Sequence, residues 1–202
     1  MSPAERLDAE KLARALNGQV IGNRIVVLEE TTSTNDIVAQ LAPEAAEGLV
    51  VFAERQTAGR GQYGRRWESS AGKGLWFSIL LRPQITVADS AKLTDLLAAA
   101  IASTLGAFPG LAPWIKPPND VYVGSRKVAG VLVEMRVERS GGYCAIAGAG
   151  VNVNHTLEDF PPELRETAGS IASCLGRSVD RQAFATALLR EIDSRYRAFS
   201  SL

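Results

Sequence analysis

The feature that most constrains the fold is a glycine- and arginine-rich segment, residues 56–67, here called the arginine loop. Its central residues 59–64, of sequence GRGQYG, match the G-x-G-x-x-G pattern of dinucleotide-binding folds. That fold requires a helix directly after the glycines, so that its N-terminus faces the pyrophosphate. Here residues 65–73 carry no amphipathic pattern and lead into an apolar run, residues 74–81. The loop therefore joins strand to strand, which argues against a Rossmann fold.

The remaining pattern predicts an α+β fold. Strands are expected at residues 24–29, 48–53, 74–81, 114–116, 121–123, 127–137 and 143–147, the fifth and sixth joined by a turn at Gly124 and Ser125. Helices are expected at residues 4–16, from a cap at 33–35 to 41, 88–105, 170–175 and 180–199. Because strands dominate the middle and helices flank them, we expect a mixed, largely antiparallel sheet flanked by helices.

Composition limits the function classes. A chain of 202 residues suits one domain, and its 22 basic and 22 acidic side chains give no net attraction to nucleic acid or to a membrane. The arginine loop is therefore a local basic feature that favours a small anion. Neither a signal peptide nor a membrane span is expected. Cys144 and Cys174 show no metal-binding spacing, so we expect reduced, packed thiols in a cytoplasmic protein. His155 is the one histidine, which rules out a His-rich metal site, and any catalytic triad would have to use it.

Three further segments carry chemistry. In residues 116–120, KPPND, two prolines stiffen the backbone before Asn119 and Asp120. Lys127 then opens an apolar strand in which Gly130 leaves space for a close approach. Residues 148–154 alternate valine and asparagine after small residues, and residues 31–36 are polar. Each has an ordinary alternative on its own: a turn, a solvent-exposed strand end, a helix cap or a solvated basic loop. A Walker loop is excluded, because no glycine precedes Lys-Ser or Lys-Thr at the required spacing.

Together these segments, over residues 25–199, resemble the catalytic domain of biotin protein ligases. The resemblance implies the fold of biotin/lipoate ligase catalytic domains and a two-step reaction. Biotin and Mg-ATP give biotinyl-5′-AMP, and a lysine of a biotin carboxyl carrier protein, such as that of acetyl-CoA carboxylase, then takes the biotin. ATP with Mg²⁺ and biotin would be substrates, with no tightly bound prosthetic group. A homodimer is a further expectation, since relatives often pair through their sheets.

The resemblance also assigns site residues. The catalytic residues implied are Arg60, Lys127 and Asp120. The biotin-binding residues implied are Ser33, Thr34, Asn35, Gln56, Gly59, Arg60, Gly61, Gln62, Lys127 and Gly130. The nucleotide-binding residues implied are Arg60, Arg65, Trp67, Asn119, Lys127 and Asn152. No metal site is expected from the protein alone; Mg²⁺ would arrive with ATP near Asn119 and Asp120.

The sequence departs from the family pattern at three places. Pro117 stands where relatives have tryptophan, and Gln62 and Tyr63 stand where many have arginine. The chain also ends at Leu202, where the family continues into a small C-terminal barrel, and the residues before Arg24 are too few for a helix-turn-helix domain. We therefore expect residues 1–202 to form a single catalytic domain. The alternatives are a lipoate ligase or octanoyltransferase of the same fold, or a catalytically silent biotin-binding module.

Overall fold

The computed structural model describes residues 6–139 and 141–200. Its strands are β1 Arg24–Thr31, β2 Leu49–Gln56, β3 Gly74–Leu81, β4 Pro113–Lys116, β5 Asp120–Val123, β6 Arg126–Val137 and β7 Tyr143–Asn152. Its α-helices are α1 Ala9–Ala15, α2 Thr34–Leu41, α3 Ser90–Gly106, α4 Ile171–Leu175 and α5 Arg181–Ser200. The strands form one sheet in the order β1-β2-β3-β7-β6-β5-β4. Only the β1–β2 pair is parallel among these neighbours, which confirms a mixed, largely antiparallel α+β fold.

Both faces of the sheet are covered by helices. On one face the main core includes residues of α1, α3 and α5; on the other, α2 packs over a smaller core. Strand β2 serves both, because Val50 and Phe52 belong to the first core whereas Leu49 and Val51 belong to the second. Strands buried on both faces read as continuous apolar runs rather than as alternating ones, which is why β2 and β3 are apolar along most of their length.

A buried ion pair joins the ends of the chain to the sheet. The Arg181 guanidinium of α5 lies 2.7 Å from a carboxylate oxygen of Glu54, and both side chains are almost fully buried. Arg181 also donates to the carbonyl of Gly74, and the other oxygen of Glu54 accepts from the backbone N–H of Leu7. These bonds hold the C-terminal end of β2 and the first residue of β3 in place, and the arginine loop connects these two strands.

Several predicted element ends were wrong. Strand β2 continues past residue 53 to Gln56, because the charge of Glu54 is paired inside the protein. Helix α1 begins at Ala9 and not at residue 4, since the Asp8 side chain caps it by accepting from the N–H of Lys11; residues 4 and 5 lie outside the described part of the chain. Strand β7 runs unbroken through its glycines to Asn152, beyond the predicted end at residue 147.

The two cysteines differ in burial, since Cys144 is buried and Cys174 is half-buried. Cys144 and Cys174 are both free, and burial raises the pKa of the Cys144 thiol. Among the described residues, no helix has the length and apolar character needed to cross a bilayer.

Candidate active site

A cavity of about 410 Å³ lies over the sheet face that carries α2. The strands that form its floor have no side chains at two facing positions, because Gly130 of β6 pairs with Gly150 of β7. A Cβ atom on Gly150 would lie 2.5 Å from the indole of Trp67, and one on Gly130 would lie 2.9 Å from the same ring. The sequence predicted that Gly130 allows a close approach, and the approaching group is Trp67. The volume is within the range of small-molecule sites.

The arginine loop folds back over this cavity as a short hairpin. The N–H of Trp67 donates to the carbonyl of Gly59 at 2.9 Å, and the N–H of Gly61 donates to the carbonyl of Arg65 at 2.7 Å. The tip is a single 3-10 turn, Gln62–Gly64, after which the chain passes to β3 without an α-helix. The dinucleotide-binding interpretation is thereby excluded by geometry as well as by pattern.

Trp67 lies between the glycine floor and a cation. The Lys127 ammonium nitrogen is 5.2 Å from the centre of its ring, and Trp76 packs edge-on against it with centroids 6.3 Å apart. Its indole N–H is buried and meets no acceptor among the described residues. A buried donor without an acceptor is costly, and this N–H lies against the glycine floor, where a Cβ on Gly150 would come within 2.5 Å of the indole nitrogen.

Lys127 and Asp120 form an ion pair beside Trp67. Their charged atoms are 2.6 Å apart, and both side chains keep part of their surface accessible, 29% and 20%. The Lys127 backbone is held on both sides: its N–H donates to the carbonyl of Thr167, and its carbonyl accepts from the N–H of Gly169. The segment that supplies these bonds was assigned no role from sequence. It forms a wall of the cavity through Phe160, Leu164, Thr167 and Ala168.

Two buried asparagines face the same cavity with their amide groups oriented by the backbone. Asn119 donates its NH₂ to the carbonyl of Val131 at 2.8 Å, and Asn152 donates to the carbonyl of Gly169 at 3.0 Å. Each amide oxygen remains available to accept. Asn154, two residues further along the chain, exchanges two hydrogen bonds with the backbone of Val179 and does not line the cavity.

A buried chain of hydrogen bonds runs under the end of the cavity near α2. The backbone N–H of Thr34 donates to the side-chain oxygen of Gln56 at 2.8 Å, and the Thr34 hydroxyl is 2.7 Å from that of Ser78. Ser78 in turn donates to the amide oxygen of Asn35 at 2.5 Å. Sequence reasoning missed Ser78, although it is the one polar side chain in the apolar strand β3.

Arg60 lies at the edge of the cavity between two carboxylates that sequence reasoning also missed. It donates to both oxygens of Asp36, at 2.8 and 2.9 Å, and lies 3.5 Å from Glu134. The hydrogen bond from Arg60 lowers the pKa of the Asp36 carboxyl below its usual value. Arg60 can still reach a substrate anion through N–H groups that these contacts leave over.

The structure brings almost all the predicted site residues into one cavity. Its lining includes Ser33, Thr34, Asn35, Gln56, Arg60, Gly61, Gln62, Arg65, Trp67, Asn119, Asp120, Lys127, Gly130 and Asn152. Gly59 is the exception: it stands at the base of the arginine loop, where a Cβ would lie 2.7 Å from the carbonyl oxygen of Trp67. Within residues 6–139 and 141–200, no three His, Cys, Asp or Glu side chains are grouped to hold a metal ion.

His155 has a structural place next to the cavity. It stacks on Phe160 with centroids 5.0 Å apart and meets Trp76 edge-on at 5.7 Å. Burial lowers its pKa from 6.5 to about 4, so the ring is neutral at pH 7. Phe160 itself lines the cavity, so His155 supports one wall from behind.

Comparison with known proteins gives a consistent result. The sequence profile of the biotin/lipoate A/B protein ligase family matches residues 27–152. The bifunctional ligase/repressor BirA of Bacillus spizizenii is 35% identical over 195 residues, which are 96% of this chain and 60% of that protein. The biotin--[acetyl-CoA-carboxylase] ligase of Mycobacterium tuberculosis is 32% identical over an alignment 216 residues long with its gaps, which covers 96% of this chain and 74% of that protein.

The fold gives the same answer. The structure of the biotin protein ligase from Aquifex aeolicus in complex with biotin and ATP superimposes with a TM-score of 0.77 at 30% identity, covering 88% of this chain and 72% of that one. This chain spans about 60% of the length of the first curated relatives that it matches. The extent of the family match and the identity to these relatives show that the chain belongs to the biotin/lipoate A/B protein ligase family.

Proposed function

We propose that the protein is an ATP-dependent biotin protein ligase that forms biotinyl-5′-AMP and transfers biotin to a lysine of a biotin carboxyl carrier protein. The observation that carries this proposal is the placement of the Lys127–Asp120 ion pair in one cavity with the arginine loop and the Thr34–Ser78–Asn35 chain. A cation beside a polar-ended, glycine-floored cavity suits an elongated acid whose carboxylate must meet a phosphate.

In the first step a carboxylate oxygen of biotin attacks the α-phosphorus of ATP, and pyrophosphate departs with the electrons of the broken P–O bond. Negative charge gathers at the α-phosphate, so positioned cations supply much of the catalysis. Lys127 and Arg60 are the proposed cations. Trp67 would wall in the adenine, and the free amide oxygen of Asn152 would accept from the amino group of the base.

At the other end of the cavity the ureido ring of biotin would lie by Ser33 and the polar chain below it. Gln56, Thr34 and Asn35 are already hydrogen-bonded to one another or to Ser78, so their amide and hydroxyl orientations are set before a ligand binds. Gly61 and Gln62 of the arginine loop would close over the ring from above, with Arg65 on the nucleotide side. Closure keeps the mixed anhydride away from water.

In the second step the neutral amine of the acceptor lysine attacks the biotinyl carbonyl carbon, and AMP leaves as the C–O bond to its phosphate breaks. A free lysine has a pKa of about 10.4, so it arrives mostly as the ammonium form. Asp120 is the proposed group that orients this ammonium and receives its proton. Mg²⁺ would enter with ATP, near the oxygen atoms of Asn119 and Asp120.

The wider setting of this activity is part of the proposal. The acceptor would be a carrier protein such as that of acetyl-CoA carboxylase, as the name of the Mycobacterium tuberculosis relative suggests. We place the reaction in the cytoplasm and in a single catalytic domain formed by residues 1–202. Strand β1 lies at one edge of the sheet, and a homodimer paired through sheet edges would use such a strand.

The test is to incubate the protein with Mg-ATP and biotin, lipoate or octanoate, and to identify the acyl-adenylate by mass spectrometry. We expect biotinyl-AMP, and transfer of biotin when a purified carrier domain is added. Lipoyl-AMP or octanoyl-AMP without biotinyl-AMP would contradict the proposal and indicate a lipoate or octanoate ligase of the same fold. Biotin binding without any adenylate would instead identify a silent biotin-binding module.

A further inference from the structure

Two carboxylates, Asp36 and Glu134, hold the guanidinium of Arg60 in one orientation. Its two terminal nitrogens donate to the two oxygens of Asp36 at 2.9 and 2.8 Å, which sets the plane of the guanidinium. Glu134 approaches one of these nitrogens at 3.5 Å. The three side chains are between 28% and 36% exposed, and ion pairs of that exposure contribute little to stability. The consequence of this arrangement is therefore positional.

The two carboxylates belong to rigid elements, whereas Arg60 belongs to a loop. Asp36 is in the first turn of α2, and Glu134 is in β6. The backbone of Arg60 pairs with that of Arg66 across the base of the hairpin, two residues before the turn Gln62–Gly64. Beyond that base the loop is exposed, with Tyr63 at 86%. The two carboxylates thus anchor the base of the loop, while Tyr63 and Gly64 at its tip are exposed.

Glu134 has a second contact. The same carboxylate oxygen that faces Arg60 accepts from the NH₂ of Asn35 at 2.8 Å. Asn35 is 4% exposed and lies so close to β7 that a Cβ on Gly148 would come within 2.3 Å of its amide oxygen. Glu134 therefore connects the arginine loop to the hydrogen-bonded chain through Asn35 and Ser78.

We propose that Asp36 and Glu134 are positioning residues for Arg60. Asp36 fixes the guanidinium at the edge of the cavity, and Glu134 fixes it relative to the polar chain under the proposed ureido pocket. Arg60 uses two of its five N–H groups on Asp36 and keeps others for a substrate anion. The kinetic consequences of this inference rest on the proposed function. A cation that is already held in place needs no reorganisation when negative charge develops on the α-phosphate, so positioning Arg60 should speed that step.

Asp36→Asn and Glu134→Gln test the inference, with Glu191→Gln as the matched control. Glu191 also pairs with an arginine, Arg195 at 2.7 Å, but on α5 and away from the cavity. In biotinyl-AMP formation we expect Asp36→Asn to lower kcat at least tenfold with little change in the KM for ATP. Glu134→Gln should in addition raise the KM for biotin, and Asp36→Glu should restore part of kcat. The control should behave as the wild type.

Limited trypsin digestion gives a readout that does not depend on activity. None of these substitutions adds or removes a trypsin site, and the arginine loop contains three arginines, Arg60, Arg65 and Arg66. Without biotin and ATP, the loop of Asp36→Asn and Glu134→Gln should be cleaved several times faster than that of the wild type and the control. Cleavage at the wild-type rate, or a KM for ATP that falls on substitution because the carboxylates compete with the substrate for Arg60, would overturn the proposal. A wild type that makes no biotinyl-AMP would refute the proposed function alone, and the digestion would still decide on positioning.

Discussion

The buried histidine predicts a specific loss of stability in mild acid. The pKa of His155 is about 4 in the folded protein and 6.5 without its surroundings. Between pH 4 and 6.5 the unfolded chain therefore binds a proton at His155 that the folded protein does not bind. Between these two values the free energy of unfolding must fall as the pH falls; above 6.5 neither state is protonated and the effect vanishes. Because Phe160 stacks on His155 and lines the cavity, protonation also disturbs the site.

The magnitude follows from the two pKa values. A separation of one pH unit is worth about 1.4 kcal/mol, so the full gap corresponds to roughly 3 kcal/mol once the pH is well below 4. At pH 5 the folded ring is still mostly neutral and the unfolded one mostly charged, which leaves a loss of about 2 kcal/mol relative to pH 7.5. Against a typical total of about 5–15 kcal/mol, such a loss is easily measured.

Urea unfolding of the wild type and His155→Phe at pH 7.5 and pH 5.0 provides the assay. Phenylalanine keeps an aromatic ring between Trp76 and Phe160 but does not titrate, and the carboxylates that also respond to pH are common to both proteins. We expect the wild type to lose about 2 kcal/mol more than the variant between the two pH values. His155→Leu repeats the comparison with a smaller side chain. Equal losses in wild type and variants would refute the reasoning.

Three further predictions concern the cavity. Lys127→Ala should abolish biotinyl-AMP formation and leave the circular dichroism spectrum unchanged, whereas Lys92→Ala, which removes an exposed lysine paired with Asp89, should retain wild-type activity; activity in Lys127→Ala would remove this residue from the site. Gly150→Ala should displace Trp67 and lower the free energy of unfolding by about 1–3 kcal/mol, with Gly110→Ala, where nothing lies near the added Cβ but φ is +88°, as the backbone-strain control; similar losses in both would argue against contact with Trp67. Gln62→Arg should slow the release of biotinyl-AMP into solution, measured by rapid filtration, because it adds a charged donor to the arginine loop; an unchanged rate would show that this position does not meet the phosphate.

The fold could be predicted from sequence because the relevant signals are local. Strands such as β3 and helices such as α5 lie close to where pattern and caps put them. The errors arise where a distant partner decides. Strand β2 extends to Gln56 with Glu54 inside it, and the burial of that charge depends on Arg181, which is far along the chain. No local pattern carries that information.

The candidate site shows the same division. Residues in short, chemically distinctive segments, such as Lys127 and Trp67, could be named from sequence and do line the cavity. Ser78 could not, because a serine in an apolar strand is ordinary until its partners Thr34 and Asn35 are known. Glu134 was equally silent, as one charged residue near the end of a long strand. Residues that act through other residues, such as Ser78 and Glu134, can be recognised only once the fold shows their partners.

The contacts at the base of the arginine loop change the free-energy cost of closing it. Ordering a residue costs about 1–2 kcal/mol, so ordering residues 56–67 from a flexible state would cost on the order of 12 to 24 kcal/mol. That exceeds the roughly 8 kcal/mol of a micromolar ligand. In the structure the hairpin bonds at Gly59 and Gly61, the anchoring of Arg60 and the packing of Trp67 on Gly150 fix the base, so we expect that only the exposed turn at the tip, Gln62–Gly64, gains further order when a ligand binds. The expected cost then falls to about 3–6 kcal/mol, which is less than the roughly 8 kcal/mol of a micromolar ligand and would leave the proposed substrates a useful net affinity.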